Sequence, residues 1–304
     1  STAGGGDQKP YAHTAGKLAL ERHLERRGLR AVVGDGELPY TYDARFALPD
    51  EKPLVSVVIP SKDHADLLER CVRSILDRST HENLEVIVVE NNSSEAETFA
   101  LYERLAADAC VRVETWSPDL LVEGAPCENG FNYSSIVNFG AACSKGDFLV
   151  LLNNDTEVIE PAWIERMLGD LMRPEVGVVG AKLLFGDGLI QHAGMIANGN
   201  GDFAHVNRDL PGDALGYAYS AGMPQEYSMV TGACQMVSRK LFDELGGYDE
   251  QLAVGFNDGD FCLRVGEAGR VVVYEPRAVL RHREFSSRGR ESTDARLAAR
   301  LLQE

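Results

Sequence analysis

The run Leu54-Val-Ser-Val-Val-Ile59, closed by Pro60, constrains this chain more than any other segment. It is rich in β-branched residues and lacks the polar alternation of a strand with one wet face, so it reads as a strand buried on both faces. Leu68, Cys71, Val72, Ile75 and Leu76 then recur at helical spacing from about 65 to 78, and Val86-Ile-Val-Val89 is a second buried run. Strand, helix, strand in this order predicts a right-handed βαβ unit and a parallel sheet. Further strands are expected near 111–114, 148–152, 176–180 and 271–274, with helices near 161–172, 238–245 and 259–268.

The flanks have a different texture. Residues 1–16 are Gly-rich and polar and are expected to be loosely ordered. Residues 17–27, with Leu18, Leu20 and Leu24 among charged side chains, read as a short amphipathic helix ended by Gly28. Gly34, Gly36, Pro39, Pro49 and Pro53 mark 31–53 as an extended linker. The stretch 184–226 is rich in Gly, Asp, Asn and Tyr, and reads as long loops or short antiparallel strands over one end of the sheet. The organisation that follows is an N-terminal extension (1–53), an α/β domain (54–290) and a helical tail (291–304).

Acidic side chains outnumber basic ones 47 to 30, a net charge of −17. Such a surface repels nucleic-acid phosphates and anionic lipid, so no nucleic-acid partner is expected. Arg277, Arg281, Arg283, Arg288 and Arg290 are the one candidate basic patch. A nucleotide diphosphate is anionic too, so binding one requires a cation or focused positive groups. The six cysteines show no CxxC pair and read as reduced thiols in a cytoplasmic protein. No membrane span or signal peptide is visible. The start STAGGG, without methionine, reads as an excised module of a longer protein.

Open α/β sheets bind ligands at the carboxyl ends of their strands. Ser61-Lys62-Asp63, Glu90-Asn91-Asn92 and Asn153-Asn154-Asp155 each follow a strand directly and are expected to converge in one crevice. Asp155 offers a hard carboxylate suited to Mg²⁺ or Mn²⁺ bridged by phosphates, although Asn-Asn-Asp is also turn chemistry. Asp258 and Asp260 flank Gly259 just ahead of a helix; one suits proton abstraction from an acceptor hydroxyl, the other acceptor orientation or helix capping. His282, in an Arg-rich loop, either completes a metal site opposite Asp155 or is a surface bystander, and Arg283 or Arg288 suits phosphate. Val230-Thr-Gly-Ala-Cys234 places small residues before a helix, where a sugar ring could lie against the backbone at Gly232 or a turn could simply pack well. The segment 199–204 formally matches GxGxxA, but no buried strand precedes it, so it is not a dinucleotide fingerprint.

Taken in order, VSVVIPSKD, VVENNSSE, FNYSSIVNFGAACSKGDFLVLLNNDTEV, TGACQMVSRKLFDELGGYDE and FNDGDFCLR resemble the family 2 glycosyltransferases of GT-A fold from about 54 to 289. FNYS, GLIQHAG and HREFSSRG resemble the subgroup that serves O-antigen or rhamnan-type polysaccharide synthesis, and the helix near 9–27 resembles the segment that precedes its catalytic domain. The resemblance implies a single mostly parallel sheet flanked by helices, a nucleotide-diphosphate-sugar donor, a glycan or lipid-linked glycan acceptor, and an inverting, metal-dependent transfer. Pro60, Ser61 and Asp63 would line the base and ribose pocket and Glu90 would contact the base. Asn153 and Asp155 fall at the ends of the family's Asp-x-Asp motif, with Asn154 between them and Gly232 as a further donor-site position. Asp155 and His282 would hold the metal, Asp258 would be the base, and Asp260 would support the acceptor. Trp163, Gln191 and His192 are further candidates for the sugar or acceptor site. Glu90 stands for the usual aspartate, and Asn153 removes one charge from the metal motif. Such a protein would work at the inner face of the cytoplasmic membrane, held there peripherally through other modules. Two rivals carry different requirements: a sugar-phosphate nucleotidyltransferase needs a Gly-rich basic loop after the first strand, and a non-catalytic carbohydrate-binding module needs none of these carboxylates.

Overall fold

The parallel sheet expected from the two buried runs is the spine of the fold. The computed structural model describes residues 10–36, 38, 40–127, 129–197 and 203–283. The chain opens with α1 (Pro10–Arg26), β1 (Ala31–Asp35) and β2 (Tyr42–Phe46), followed by β3 (Val55–Ser61), α2 (Ala65–Arg78), β4 (Leu84–Glu90), α3 (Ala96–Leu105) and β5 (Val111–Thr115). Next come α4 (Tyr133–Cys143), β6 (Phe148–Leu152), β7 (Thr156–Val158), α5 (Trp163–Leu171) and β8 (Val176–Leu184). Four short strands, β9 (Ile190–His192), β10 (Met195–Ala197), β11 (Phe203–His205) and β12 (Gln225–Tyr227), precede β13 (Cys234–Ser238), α6 (Arg239–Glu244), α7 (Asn257–Glu267) and β14 (Val271–His282).

The main sheet runs β12-β14-β8-β13-β6-β3-β4-β5, with β7 on β14 and β9 on β8. The long strands β3, β4, β5, β6, β8 and β14 all run one way, and β13 lies antiparallel between β6 and β8. Apolar side chains fill both faces. Leu68, Leu101 and Met167 of α2, α3 and α5 pack on one, and Ile136, Phe242 and Phe261 of α4, α6 and α7 pack on the other. This is the α/β architecture read from the sequence, and its parallel strands deliver their carboxyl ends to one edge of the sheet.

Three readings are corrected. Residues 31–53 are not an extended linker, because β1 and β2 pair as an antiparallel hairpin with Val33 buried. Helix α1 begins at Pro10 rather than near 17, and Gly28, at φ 68, closes it. The final strand does not stop at Tyr274. It absorbs Pro276 in an irregularity between Glu275 and Val279 and runs on to His282. The expected tail helix, with Arg288 and Arg290, lies outside the described residues. Among those described, the arginines of the basic patch are drawn into ion pairs: Arg277 pairs with Glu275 and Asp43, and Arg281 and Arg283 share Glu157. No helix among the described residues is long and apolar enough to cross a membrane.

A buried charge network ties the hairpin to the sheet. Asp43 of β2 accepts from Arg166 at 3.2 Å and pairs with Arg277. The Arg277 backbone N–H and Nε donate to Glu275 Oε1 at 2.8 and 2.7 Å, and Nη2 donates to Oε2. Burial pushes the carboxyls of Asp170 and Glu275 up together, with mutual repulsion adding to it at Glu275. The two carboxyls share a hydrogen bond, so the folded pair retains one proton between them. The unfolded chain releases that proton near about pH 4, whereas the folded chain keeps it to higher pH. Stability is therefore expected to fall as pH rises from that point toward the raised folded value. Asp170→Asn, neutral at every pH, is expected to flatten the decline. Urea titrations of wild type and variant at about pH 5 and about pH 8 check this, and an equal loss in both proteins counts against the shared proton.

Candidate active site

Register brings the first cluster together. β7 pairs antiparallel with the far end of β14, placing His282 opposite Thr156, one residue from Asp155. The turn before β7 is pinned by the Asn153 N–H on Ala233 O at 3.1 Å and by the Thr156 hydroxyl on Asn153 O at 2.9 Å. Asp155 and His282 are buried to 6% and 7% exposure, with Asp155 Oδ1 standing 3.1 Å from His282 Nε2.

Hydrogen bonds fix what that pair presents. His282 Nδ1–H donates to Gln191 Oε1 at 2.7 Å, which leaves the lone pair on Nε2. Asn153 Nδ2 donates to that same Nε2 at 3.3 Å, and its Oδ1 accepts from the Tyr133 hydroxyl at 3.1 Å. A carboxylate oxygen and an imidazole lone pair thus face each other and require a proton or a cation between them. Two ligands at right angles on a Mg²⁺-sized ion stand about 3 Å apart, so the donor pair fits a divalent metal. Among the described residues no third His, Cys, Asp or Glu joins them. Such an ion would complete its shell with water and phosphate oxygens, the usual habit of Mg²⁺.

The second cluster lies across one dipeptide. Asp258 sits in the first turn of α7 behind Phe256, whose φ of 63 sharply redirects the chain. Its Oδ2 accepts from Gly232 N–H and its Oδ1 from Gly259 N–H, both at 2.8 Å. Burial pushes the Asp258 carboxyl up, opposed by those N–H groups and by the Thr231 hydroxyl. A Cβ on Gly232 would come within 3.2 Å of Asp258 Cβ and 3.1 Å of Tyr248 Oη, so the position takes only hydrogen without displacing them. Gly232 thereby holds Asp258, and its neighbour Ala233 holds Asn153. The two clusters share one backbone brace.

At the ends of the neighbouring strands β3 and β4, Asp63 accepts from the N–H groups of Ser94 and Glu95 at 2.7 and 2.9 Å. Burial works against ionisation of Asp63, but these N–H donors and the Ser94 hydroxyl outweigh it and hold the carboxyl below its usual range. Glu90 accepts from Ser93 N–H at 2.7 Å, and Ser61, next to Pro60 at the end of β3, accepts from the Tyr102 hydroxyl at 3.2 Å. These residues build one rigid loop at the carboxyl ends of β3 and β4. Asn154 occupies the turn between Asn153 and Asp155, half-buried. Asn91, which the sequence placed in the Glu90–Asn92 cluster without a role of its own, is 2% exposed, and its side-chain amide finds no hydrogen-bond partner among the described residues. Its place after β4 was the available signal.

Other expected residues fall elsewhere. Trp163 is fully enclosed and donates to Ser79 Oγ at 3.0 Å, so it is a core residue that no sugar reaches. Asp260 is held by Arg264 Nε at 2.8 Å, and that arginine also bonds the carbonyls of Leu245 and Gly247. Gln191 positions His282. His192 is fully buried against His205, with ring nitrogens 3.1 Å apart, and burial with two neighbouring imidazoles pushes its pKa well down.

The fold is that of the GT-A glycosyltransferases. Residues 56–246 match Glycosyl transferase family 2, and the chain belongs to that family. The protein y4gI of Sinorhizobium fredii (strain NBRC 101917 / NGR234) is 41% identical over 301 residues, 98% of this chain and 32% of its own length. The O-antigen biosynthesis protein RfbC of Myxococcus xanthus is 36% identical over 278 residues, 91% of this chain and 21% of its own length. The chain therefore spans a third or less of these two relatives. Among solved structures, GalNAc-T7 with UDP, GalNAc and Mn²⁺ aligns with a TM-score of 0.59 at 16% identity, over 77% of this chain and 44% of that one. The mannosyltransferase PcManGT from Pyrobaculum calidifontis, in complex with GDP-Man and Mn²⁺, aligns at 0.54 and 16% identity, over 91% of this chain and 67% of that one. Both share the fold.

Proposed function

We propose that this chain transfers a sugar from a nucleotide-diphosphate donor to a hydroxyl of a bacterial surface polysaccharide, with inversion at the anomeric carbon. The observation that carries the reading is the Gly232–Ala233 brace, with Asp258 on one side and Asn153, Asp155 and His282 on the other. The likeness to the RfbC protein supports an O-antigen-like glycan, free or lipid-linked, as acceptor. Catalysis belongs to 54–290, and other modules of a longer protein bring it peripherally to the inner face of the cytoplasmic membrane.

Asp155 and His282 would hold Mn²⁺ or Mg²⁺, as the Mn²⁺ of the two solved neighbours supports. When bound, the ion neutralises charge developing on the departing diphosphate. Gln191 keeps the His282 lone pair aimed at it. The loop of Pro60, Ser61, Asp63 and Glu90 receives the base and ribose, with Asn91 beneath it. Asp258 accepts the proton of the acceptor hydroxyl as its oxygen bonds to the anomeric carbon. The bond from that carbon to the diphosphate oxygen breaks, and the diphosphate leaves with the electron pair. Attack from the face opposite the leaving group inverts the centre in one step. The loop after β3, Lys62-Asp63-His64, has two residues at positive φ but no glycine run, which disfavours a nucleotidyltransferase.

A nucleoside-diphosphate release assay with Mn²⁺ and UDP-, GDP- and dTDP-sugars tests the reading. Slow donor hydrolysis without acceptor is expected for at least one donor. Release from none points to a binding module, and a requirement for pyrophosphate or a sugar phosphate points to a nucleotidyltransferase.

A further inference from the structure

Beside the base stands a wall that the donor half of the cleft does not use. Phe256, the residue from which α7 starts, has φ 63, a backbone region that bulky side chains rarely occupy. Its ring meets Phe203 of β11 with centroids 5.7 Å apart and planes inclined at 49°. Phe203 also closes over Gly259, where a Cβ would come within 3.4 Å of Phe203 Cε2 and 2.8 Å of Met229 Cε. Both rings are half-buried. Two half-buried aromatic side chains therefore flank the turn that carries Asp258. Phe203 reaches this place on the β10–β11 hairpin, a two-stranded sheet of its own that is bridged to the body at Met195 and Met229.

The chemistry of these rings selects what lies against them. They offer no hydrogen bond and no positive charge, so they do not attract a diphosphate, which is drawn to the Asp155–His282 side. Asp258 must be met by the hydroxyl of a second substrate. A pyranose is polar at its rim but carries a cluster of C–H groups on one face, and such a face packs on the electron-rich face of an aromatic ring. The geometry points to an acceptor subsite in which Phe203 and Phe256 receive the C–H face of a pyranose and hold one of its hydroxyls at Asp258. This subsite rests on the transferase reading of the cleft, and it makes β11, which carries Phe203, a determinant of acceptor choice.

Saturation-transfer NMR with a panel of methyl α- and β-hexopyranosides tests it, in the presence of Mg²⁺ and whichever of UDP, GDP and dTDP raises the melting temperature most. In the wild type, saturation of the aromatic protons is expected to pass most strongly to the C–H protons of one pyranose face. Phe203→Leu and Phe256→Leu, which keep bulk but lose the ring, are expected to weaken glycoside affinity about threefold to tenfold each. Phe203→Tyr and Phe256→Tyr are expected to bind like the wild type. Leucine variants that bind unchanged overturn the subsite, as does a wild type whose melting point responds to nucleotide while no glycoside face is saturated. A wild type that responds to no nucleotide overturns the transferase reading itself. Should a leucine variant fail to fold by circular dichroism, the tyrosine variants and the wild-type map of saturated protons still decide.

Discussion

Asp258→Asn is expected to lower kcat by about 10²–10⁴-fold while leaving nucleotide affinity near that of the wild type. The carboxylate is placed for one task. Two backbone N–H groups and the Thr231 hydroxyl fix its orientation, and its site at the head of α7 lies across the Gly232–Ala233 brace from the Asp155–His282 pair. An amide keeps the shape but cannot take the proton. It must also turn an NH₂ toward one of those N–H groups, at about 1–3 kcal/mol of stability, so the melting temperature is measured beside the rate. Burial pushes the Asp258 carboxyl above the ordinary carboxylate range, and the base works only when ionised. Turnover in the wild type should therefore rise with pH through a midpoint above that of an exposed aspartate. An Asn variant that turns over at the wild-type rate, or a rate that does not change across the acid range, removes Asp258 from this role.

What could be read from the sequence follows the physics of burial. β3 and β4 are nearly pure β-branched apolar runs, and α2 shows a strong apolar stripe, so the parallel half of the sheet was legible to within a residue or two. β13 was not, because Gln235 interrupts its apolar pattern. That side chain is fully buried only because the Tyr248 hydroxyl donates to it at 2.9 Å and its own amide reaches Val230 O at 3.3 Å, partners that no local pattern reveals. α4 was missed for a related reason, since its first turn buries Ser134 and Ser135 in place of apolar residues. The β1–β2 hairpin was hidden by glycines and prolines that signal turns without saying what the flanking residues pair with.

In the proposed site, the sequence pointed to Asp155, His282 and Asp258 through motifs at element boundaries: Asp155 just before β7, His282 at the end of β14 and Asp258 in the first turn of α7. The role of Gln191 was not legible, since its bond to His282 spans 91 positions and exists only once β9 and β14 both lie against β8. Trp163 misled. It entered only through the family resemblance, and its complete enclosure shows that it packs the core. The aromatic faces at the cleft, Phe203 and Phe256, lie in segments with no periodicity to announce them.

Asp155→Asn is expected to abolish the dependence of nucleotide-diphosphate binding on divalent cation. The argument is one of charge. The chain carries a net −17, and Arg281 and Arg283, the arginines nearest the pair in sequence, are engaged by Glu157. On the proposed reading, an ion held in the cleft therefore meets the negative charge of the diphosphate. Asn153 already replaces one carboxylate of the motif, and among the described residues Asp155 is the charged member of its pair with His282. Its amide analogue would leave the ion with neutral ligands alone. Loss of an outer partner such as Gln191 costs about 10–100-fold in metal affinity, and loss of the charged ligand should exceed that. Thermal denaturation with nucleoside diphosphate provides the measurement, since bound ligand raises the melting temperature in proportion to RT ln(1 + [L]/Kd). In the wild type, Mn²⁺ should greatly enlarge the shift produced by nucleotide. In the Asn variant the shifts with and without Mn²⁺ should coincide, while Gln191→Met should need about 10–100-fold more Mn²⁺ to reach the wild-type shift. A Mn²⁺-enlarged shift that survives in the Asp155 variant would mean that the cation is held elsewhere, and the crevice at the end of β6 would lose its claim to the donor.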